Sequence, residues 1–444
     1  MQDLKRLISK YSTPGPRYTS YPTALYFTEG ENMQRLKELA LDSQQQLSLY
    51  IHIPFCKSLC WFCGCSSSVC ADLAKIDEYI DLLEAELGIW RESGLNKPRV
   101  RQIHFGGGTP NLMTKDQTLR INDIIKRRFE IDPEAEISCE FDPRTLTDEK
   151  VQAFMALGLN RASIGIQDTN ADVQKAINRI QPQQMNVEAV NCLRSKGIKS
   201  INCDIIYGLP LQTLKTFSKT LDDLMSLQPD RIALFGYAHV PWVKPSQKIL
   251  EKNPLPTSDE KVELFITAMK HFEGCGYEYI GLDHFAKPQD SLIEARKNGT
   301  LHRNFQGYST MAGLDTFAIG LTSISDTKTS YRQNHKDMRL YKESIQSGRL
   351  PISKGLILTA DDIVRRGIIM DIMCSLKVDY NNYGVDFKTV FADAIEKLDS
   401  LRDDGLVNVL DNGFEVTPLG RLFLRNIAML FDNKLAGKRY SKTL

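Results

Sequence analysis

No apolar run in the 444 residues approaches the roughly 20 that span a bilayer. The opening MQDLKRLISKYSTPGPRYTS has no continuous apolar core of the kind a secretory signal needs. The chain is therefore expected in the cytosol, away from membranes. Charge of one sign is also missing: Lys+Arg 56 against Asp+Glu 55 leaves a formal +1, and net charge names no partner. There is no internal repeat or low-complexity tract, which excludes solenoids and tethers. The two separated C-x-x-C pairs, or the Cys/His pairing, of a structural zinc site are absent as well.

Cysteine is present, and it is clustered. Ten occur in all, and four of them fall in CKSLCWFCGC, residues 56 to 65. Cytosolic thiols stay reduced, so such a cluster points to metal binding or redox work rather than disulfides. The remaining cysteines, Cys70, Cys139, Cys192, Cys203, Cys275 and Cys374, are scattered and read as small buried hydrophobes.

Short β-branched runs alternate with amphipathic stretches, which predicts an α/β chain of repeated βα units. The strands read as LSLYIHI, VRQIHFG, EISCEFD, RASIGIQ, SINCDIIYGL and RIALFGYA. Between the first two, Tyr79, Leu82, Leu83, Leu87 and Trp90 form one helical face. A partial (β/α) barrel follows, over residues 47–326, after an N-terminal arm (1–46) and before a mainly helical C-terminal domain (327–444). In the last region Thr359 and Asp362 make a capping box, a hairpin turns at Asn412-Gly413, and Thr417-Pro418 starts a helix, a winged-helix-like series. Basic residues gather only in the tail NKLAGKRYSK, so nucleic acid is not an expected partner.

A barrel of this kind carries its site at the strand C-terminal ends. There the sequence places the cysteine loop, then GGGTP at Gly106 to Pro110, then Glu140, Gln167 and Asp204. Glycines let backbone amides approach a small zwitterion. Glu140 can bond a ribose hydroxyl or an amine, and Asp204, between apolar neighbours, is costly to bury unless partnered. Cys56, Cys60 and Cys63, spaced C-x3-C-x2-C, are the metal-ligand candidates. A 4Fe-4S cluster takes one ligand per iron, so three thiolates leave one iron open.

That spacing, with Phe62 before the last cysteine, resembles the radical S-adenosylmethionine (SAM) superfamily. The series GPRYTSYPTA, YIHIPFC, CWFCGC, HFGGGTP, IGIQD, DIIYGLP, GLDHFAKP, LHRNFQGY and VTPLGRLFLRNIAMLFD narrows it. Together these are similar to the oxygen-independent coproporphyrinogen III oxidase (coproporphyrinogen dehydrogenase) family of bacterial haem synthesis, over essentially the whole chain. The resemblance implies a 4Fe-4S cluster, two SAM molecules and oxidative decarboxylation of two propionates of coproporphyrinogen III to vinyl groups, giving protoporphyrinogen IX. A deoxyadenosyl radical would take each β-hydrogen. Tyr50, Gly107, Glu140 and Ile324 would contact one SAM; Phe62, Gly108, Thr109, Gln167, Arg179, Asp204 and Ala238 the other. Cys65 is carried as a catalytic candidate, and the arm residues Arg17, Tyr18 and Tyr21 as part of a cover. A flavodoxin-type electron donor and a monomeric state are also expected.

One stretch departs from the family: after Tyr237 to His239 the chain reads VPWVKPSQ, bulkier and richer in proline. Related haem-binding chaperones and haem-degrading radical SAM methyltransferases are the alternatives. The chaperones begin near YIHIPFC and lack a counterpart of Cys65. A zinc-stabilised winged-helix binder is the non-enzymatic alternative.

Overall fold

The structure, a computed structural model, describes residues 2–30, 32–42, 46–437 and 440–443. The chain divides into two compact units: residues 28–271 with 314–357, and residues 1–27 with 272–313 and 358–444.

In the first unit the strands are β1 (Leu47–Ile53), β2 (Arg99–Gly107), β3 (Glu130–Phe141), β4 (Arg161–Gln167), β5 (Ser200–Tyr207), β6 (Arg231–Gly236), β7 (Asp315–Ile319), β8 (Ile324–Asp326), β9 (Ser330–Asn334) and β10 (Ile352–Ile357). Seven run parallel in the order β7-β1-β2-β3-β4-β5-β6. Beyond β7 the sheet continues antiparallel through β8, β9 and β10 to the two-residue strand Thr28–Glu29. The parallel part is the expected partial barrel, and the sheet runs on past Asp326 to Ile357.

Crossover helices cover the outer face, as parallel strands require. In α1 (Ala74–Glu92) the buried positions Ile76, Tyr79, Ile80, Leu83, Leu87 and Trp90 recur at helical spacing. Glu86 lies in the same stripe, wholly buried, and accepts hydrogen bonds from Gly320 N–H (2.9 Å), Tyr341 hydroxyl (2.6 Å) and Asn334 Nδ2 (2.7 Å). A capping box of Thr114 and Gln117 starts α2 (Lys115–Arg128). β4 displays the logic of the wall: Ala162, Ile164 and Ile166 are buried outward, while Arg161, Ser163, Gly165 and Gln167 face the lumen, half-buried.

The second unit holds the N-terminal helix Gln2–Tyr11, the helices Ala360–Met370 and Ala392–Asp403, and a three-stranded sheet of Lys377–Asp379, Gly413–Val416 and Val407–Leu410. The capping box of Thr359 and Asp362 forms as expected. The hairpin turns one residue earlier than expected, at Asp411-Asn412, because Leu410 already pairs with Gly413. A side chain on Gly413 would collide with the Val378 carbonyl, so this glycine serves strand contact rather than the turn. Within this unit Arg17 pairs with Asp283 (3.7 Å), and Tyr18 donates to Asp432 (2.9 Å). Of the scattered cysteines, Cys70, Cys139, Cys203 and Cys374 are buried as expected, whereas Cys192 is half-buried and Cys275 exposed.

Candidate active site

The lumen face of the first unit is built in tiers, because paired residues on neighbouring strands share a face. At the strand N-terminal ends lies a polar floor. Ser48 donates to Gln102 Oε1 (2.9 Å), Gln102 to Glu136 (2.8 Å), and Arg161 to Glu136 (3.1 Å). The next tier is aromatic and ionisable: the Tyr50 ring stacks on His104 at 5.9 Å, and His104 Nδ1 lies 2.7 Å from Ser138 Oγ.

The upper tier holds Glu140 and the glycines. Glu140 accepts from Gly107 N–H (3.2 Å) and lies 3.3 Å from His104 Nε2. Burial pushes its carboxyl up, but His104 and the Gly107 amide more than reverse this, leaving Glu140 below the usual carboxylate range. Its side chain is 43% exposed, so it faces open space in the lumen and not packed neighbours. Tyr50 donates to His52 Nδ1 (3.0 Å), and His52 Nε2 donates to the Ser66 carbonyl (3.0 Å). A carbonyl only accepts, which fixes the neutral tautomer, and burial lowers the His52 pKa accordingly. Gly107 has φ +115°, and a Cβ there would sit 2.7 Å from the His52 ring.

The cysteine loop arches over these ends. Its short strand Phe55–Cys56 pairs with Ser68–Val69. The loop is tied down by Gly108 N–H to the Ile53 carbonyl (2.8 Å), Thr109 N–H to that of Phe55 (2.8 Å) and Trp61 N–H to that of Ile177 (3.1 Å). Every ligand candidate has a donor. Thr109 Oγ1 lies 3.4 Å from Cys56 Sγ; Arg144 and Arg179 lie 3.5 and 3.6 Å from Cys60 Sγ; Cys65 N–H lies 3.4 Å from Cys63 Sγ. The hydrogen bond from the Cys65 thiol, with Lys244 and Arg179 nearby, pulls Cys63 down to about 6, while Cys65 itself is held protonated by the same bond. Among the described residues no three His, Cys, Asp or Glu side chains close around a single ion. Three cysteines on one loop, each sulfur with a hydrogen-bond donor, instead suit a 4Fe-4S cluster, whose ligands bind different irons.

A buried ionic knot stands behind Cys60. Asp142 takes Arg144 Nη2 at 2.6 Å and Arg179 Nη1 at 3.1 Å, and Arg179 also donates to the Gly165 carbonyl (2.7 Å). Gln167, with φ +68°, ends β4, and its amide lies over the Cα of Gly165 beside Arg179. Asp204 accepts from Asn202 Nδ2 (2.6 Å) and Ser163 Oγ (3.1 Å); burial, with the charge of Glu140, pushes it up to about 7. The VPWVKPSQ stretch clamps the cysteine loop: Lys244 donates to the Cys65 carbonyl (2.7 Å) and Gln247 to that of Phe62 (3.0 Å), with Trp242 65% exposed.

Thus Tyr50, Gly107 and Glu140 gather on one side, and Gln167, Arg179 and Cys60 on the other. Gly108 and Thr109 bridge to Cys56. Asp204 sits one strand beyond β4 within electrostatic range of Glu140. Ala238, two residues past β6, and Ile324, opening β8 on the lumen face, carry apolar side chains. Sequence reasoning missed His52, His104, Asp142 and Arg144. The two histidines occupy period-2 positions on the strands carrying Tyr50 and the glycines, a readable sign. Asp-Pro-Arg reads as an ordinary turn.

Residues 50–224 match the Radical SAM superfamily, and residues 358–423 match the HemN C-terminal domain. The chain is 42% identical to the oxygen-independent coproporphyrinogen III oxidase of Helicobacter pylori strain J99, across 98% of each chain. It is 40% identical to that of Escherichia coli K12, across 97% of this chain and 95% of the other. It also superposes with a TM-score of 0.90, at 38% identity over 94% of this chain and 98% of the other, on a solved structure described as "Coproporphyrinogen III oxidase (HemN) from Escherichia coli is a Radical SAM enzyme".

Proposed function

The chain belongs to the oxygen-independent coproporphyrinogen III oxidases, and from that membership we infer that it decarboxylates two propionates of coproporphyrinogen III oxidatively to vinyl groups, giving protoporphyrinogen IX in anaerobic haem synthesis. The carrying observation is the Cys56, Cys60 and Cys63 loop, each sulfur provided with a donor, above a lumen lined by Glu140, Gln167 and Asp204. Full-length similarity to the oxidases displaces the chaperone, methyltransferase and zinc-binder alternatives.

Cys56, Cys60 and Cys63 would hold the 4Fe-4S cluster. When bound, cluster and SAM supply one-electron cleavage of the sulfonium and hence hydrogen-atom abstraction from an unactivated carbon. The residues do the rest. Glu140, kept anionic, would accept from the ammonium group of one SAM, and the side-chain-free backbone at Gly106 to Gly108 would let peptide carbonyls approach that group. Tyr50, fixed by His52, and Ile324 would line the place of the same molecule. Arg179 would offer its cation to the carboxylate of a second SAM, which Phe62, Gly108, Thr109, Gln167, Asp204 and Ala238 would help to hold. Cys65 acts from the loop with a thiol held protonated against Cys63. The cofactor-binding work falls to residues 47–326, flanked by the arm at 1–46 and the C-terminal part at 327–444. No helix of the described residues is long and apolar enough to cross a membrane. A monomer working in the cytosol with a flavodoxin-type reductant and no nucleic acid completes the reading.

The test is an anaerobic assay of cluster-reconstituted protein with SAM, a reductant and coproporphyrinogen III. Carbon dioxide and a divinyl product by mass spectrometry are expected. SAM cleavage with no change in the porphyrinogen would overturn the assignment.

A further inference from the structure

A substrate with four carboxylates needs cations beyond those of the cofactor site, since Arg144 is engaged by Asp142 and Cys60, and Arg179, held by the same two groups, is assigned to the second SAM. The lumen face provides them farther along the sheet. Register pairs Ile324 with Gln333, Gln333 with Lys354, and Lys354 with Glu29. Directly paired residues share a face, so Lys354 points to the side of the sheet that bears Ile324, Tyr50 and Glu140. Two strand spacings separate Lys354 from Ile324, about 10 Å between backbones.

Lys336 follows two residues after β9 ends. Its side chain is exposed, and partial desolvation together with the charges of Lys354 and Lys244 holds it below the ordinary ammonium value. Neither Lys336 nor Lys354 makes a side-chain hydrogen bond or an ion pair among the described residues, and Glu29, opposite Lys354 on the edge strand, closes no ion pair with it. Lys244 reaches from the VPWVKPSQ stretch, where its ammonium donates to the Cys65 carbonyl at 2.7 Å. A line of cations thus runs from the cysteine loop to β10. Ammonium groups gathered in this way repel one another, and since no carboxylate of the described residues closes an ion pair with Lys336 or Lys354, a ligand carboxylate among them removes that cost.

We propose that Lys336 and Lys354, with Lys244 beside them, form a carboxylate-binding subsite that holds a propionate of the tetrapyrrole while another propionate reacts near Ile324. The subsite rests on the tetrapyrrole-oxidase reading and adds to it the anchor that orients the ring.

The test titrates the full chain, reconstituted with its cluster, with coproporphyrin III, the fluorescent oxidised form of the substrate, and separately with SAM. Lys336→Gln and Lys354→Gln are each expected to weaken coproporphyrin binding about tenfold, the size of one lost hydrogen bond to a charged group. The double variant should weaken it further, Lys354→Arg should restore it, and SAM affinity and iron content should stay at wild-type values. Lys244 is left intact because its loss would also release the cysteine loop. A double variant that binds coproporphyrin as tightly as wild type overturns the subsite. So does a loss confined to SAM, which would make the lysines partners of the cofactor carboxylate. Wild-type protein that cleaves SAM yet never binds coproporphyrin would instead sink the tetrapyrrole reading, whatever the lysines do.

Discussion

Arg144 and Arg179 grip one carboxylate oxygen, Asp142 Oδ2, from 2.6 and 3.1 Å, and both reach on to the sulfur of Cys60. The carboxylate and Arg179 are each only 8% exposed at the side chain, so the knot is a buried one. Removing its single anion leaves two guanidiniums uncompensated.

Asp142→Ala is therefore expected to destabilise the protein by about 3–5 kcal/mol, the usual cost of breaking a buried pair by removing one partner. Urea unfolding of the cluster-free protein measures this without interference from iron. A loss below about 1 kcal/mol, the range of exposed pairs, would mean the knot carries no structural weight.

Gly107→Ala combines two penalties. The backbone there has φ +115°, and the new Cβ would stand 2.7 Å from a His52 ring held at both nitrogens. Strain of this kind costs of order 1–3 kcal/mol before the clash is counted. SAM affinity by equilibrium dialysis should drop at least tenfold, and an unchanged affinity would show that His52 yields.

Asp204 gives stability a pH dependence. Its carboxyl is pushed up to about 7 in the folded chain, against about 3.9 when unfolded. The folded state thus binds the extra proton, and its stability falls as pH rises from about 4 to about 7, then levels off. Because Asp204 is partly open to solvent, the loss between pH 5 and 8 should be only about 1–2 kcal/mol relative to Asp204→Asn. Parallel stability curves for the two proteins would refute the assignment.

Cys60→Ala should abolish SAM cleavage and reduce bound iron, while far-ultraviolet circular dichroism and solubility stay intact. The core of the first unit is its sheet and crossover helices, which owe nothing to iron. Retained SAM cleavage would show the ligand set to be wrong.

Much of this was legible in the sequence where a local pattern mirrors a local cause. β1 and β4 occupy Leu47–Ile53 and Arg161–Gln167, the runs read from alternation. β3 instead begins at Glu130, six residues before EISCEFD, because its ladder with β2 skips residues 132–135 around Pro133, which has no N–H to give. β9, SYRQN, is buried throughout although polar, so hydrophobic periodicity had nothing to detect. The cysteine spacing and the glycines were readable because they sit on contiguous loops. Asp142 and Arg144 were not, because only the fold brings Arg179 and Cys60 against an apparently ordinary turn, and Lys336 and Lys354 acquire meaning only through register.

The bonded row Ser48, Gln102, Glu136 and Arg161 crosses the lumen face at one end of β1 to β4. Side chains already bonded to one another offer a ligand little at that end, so whatever binds along these four strands is drawn to the other, where Tyr50, Glu140 and the cysteine loop lie.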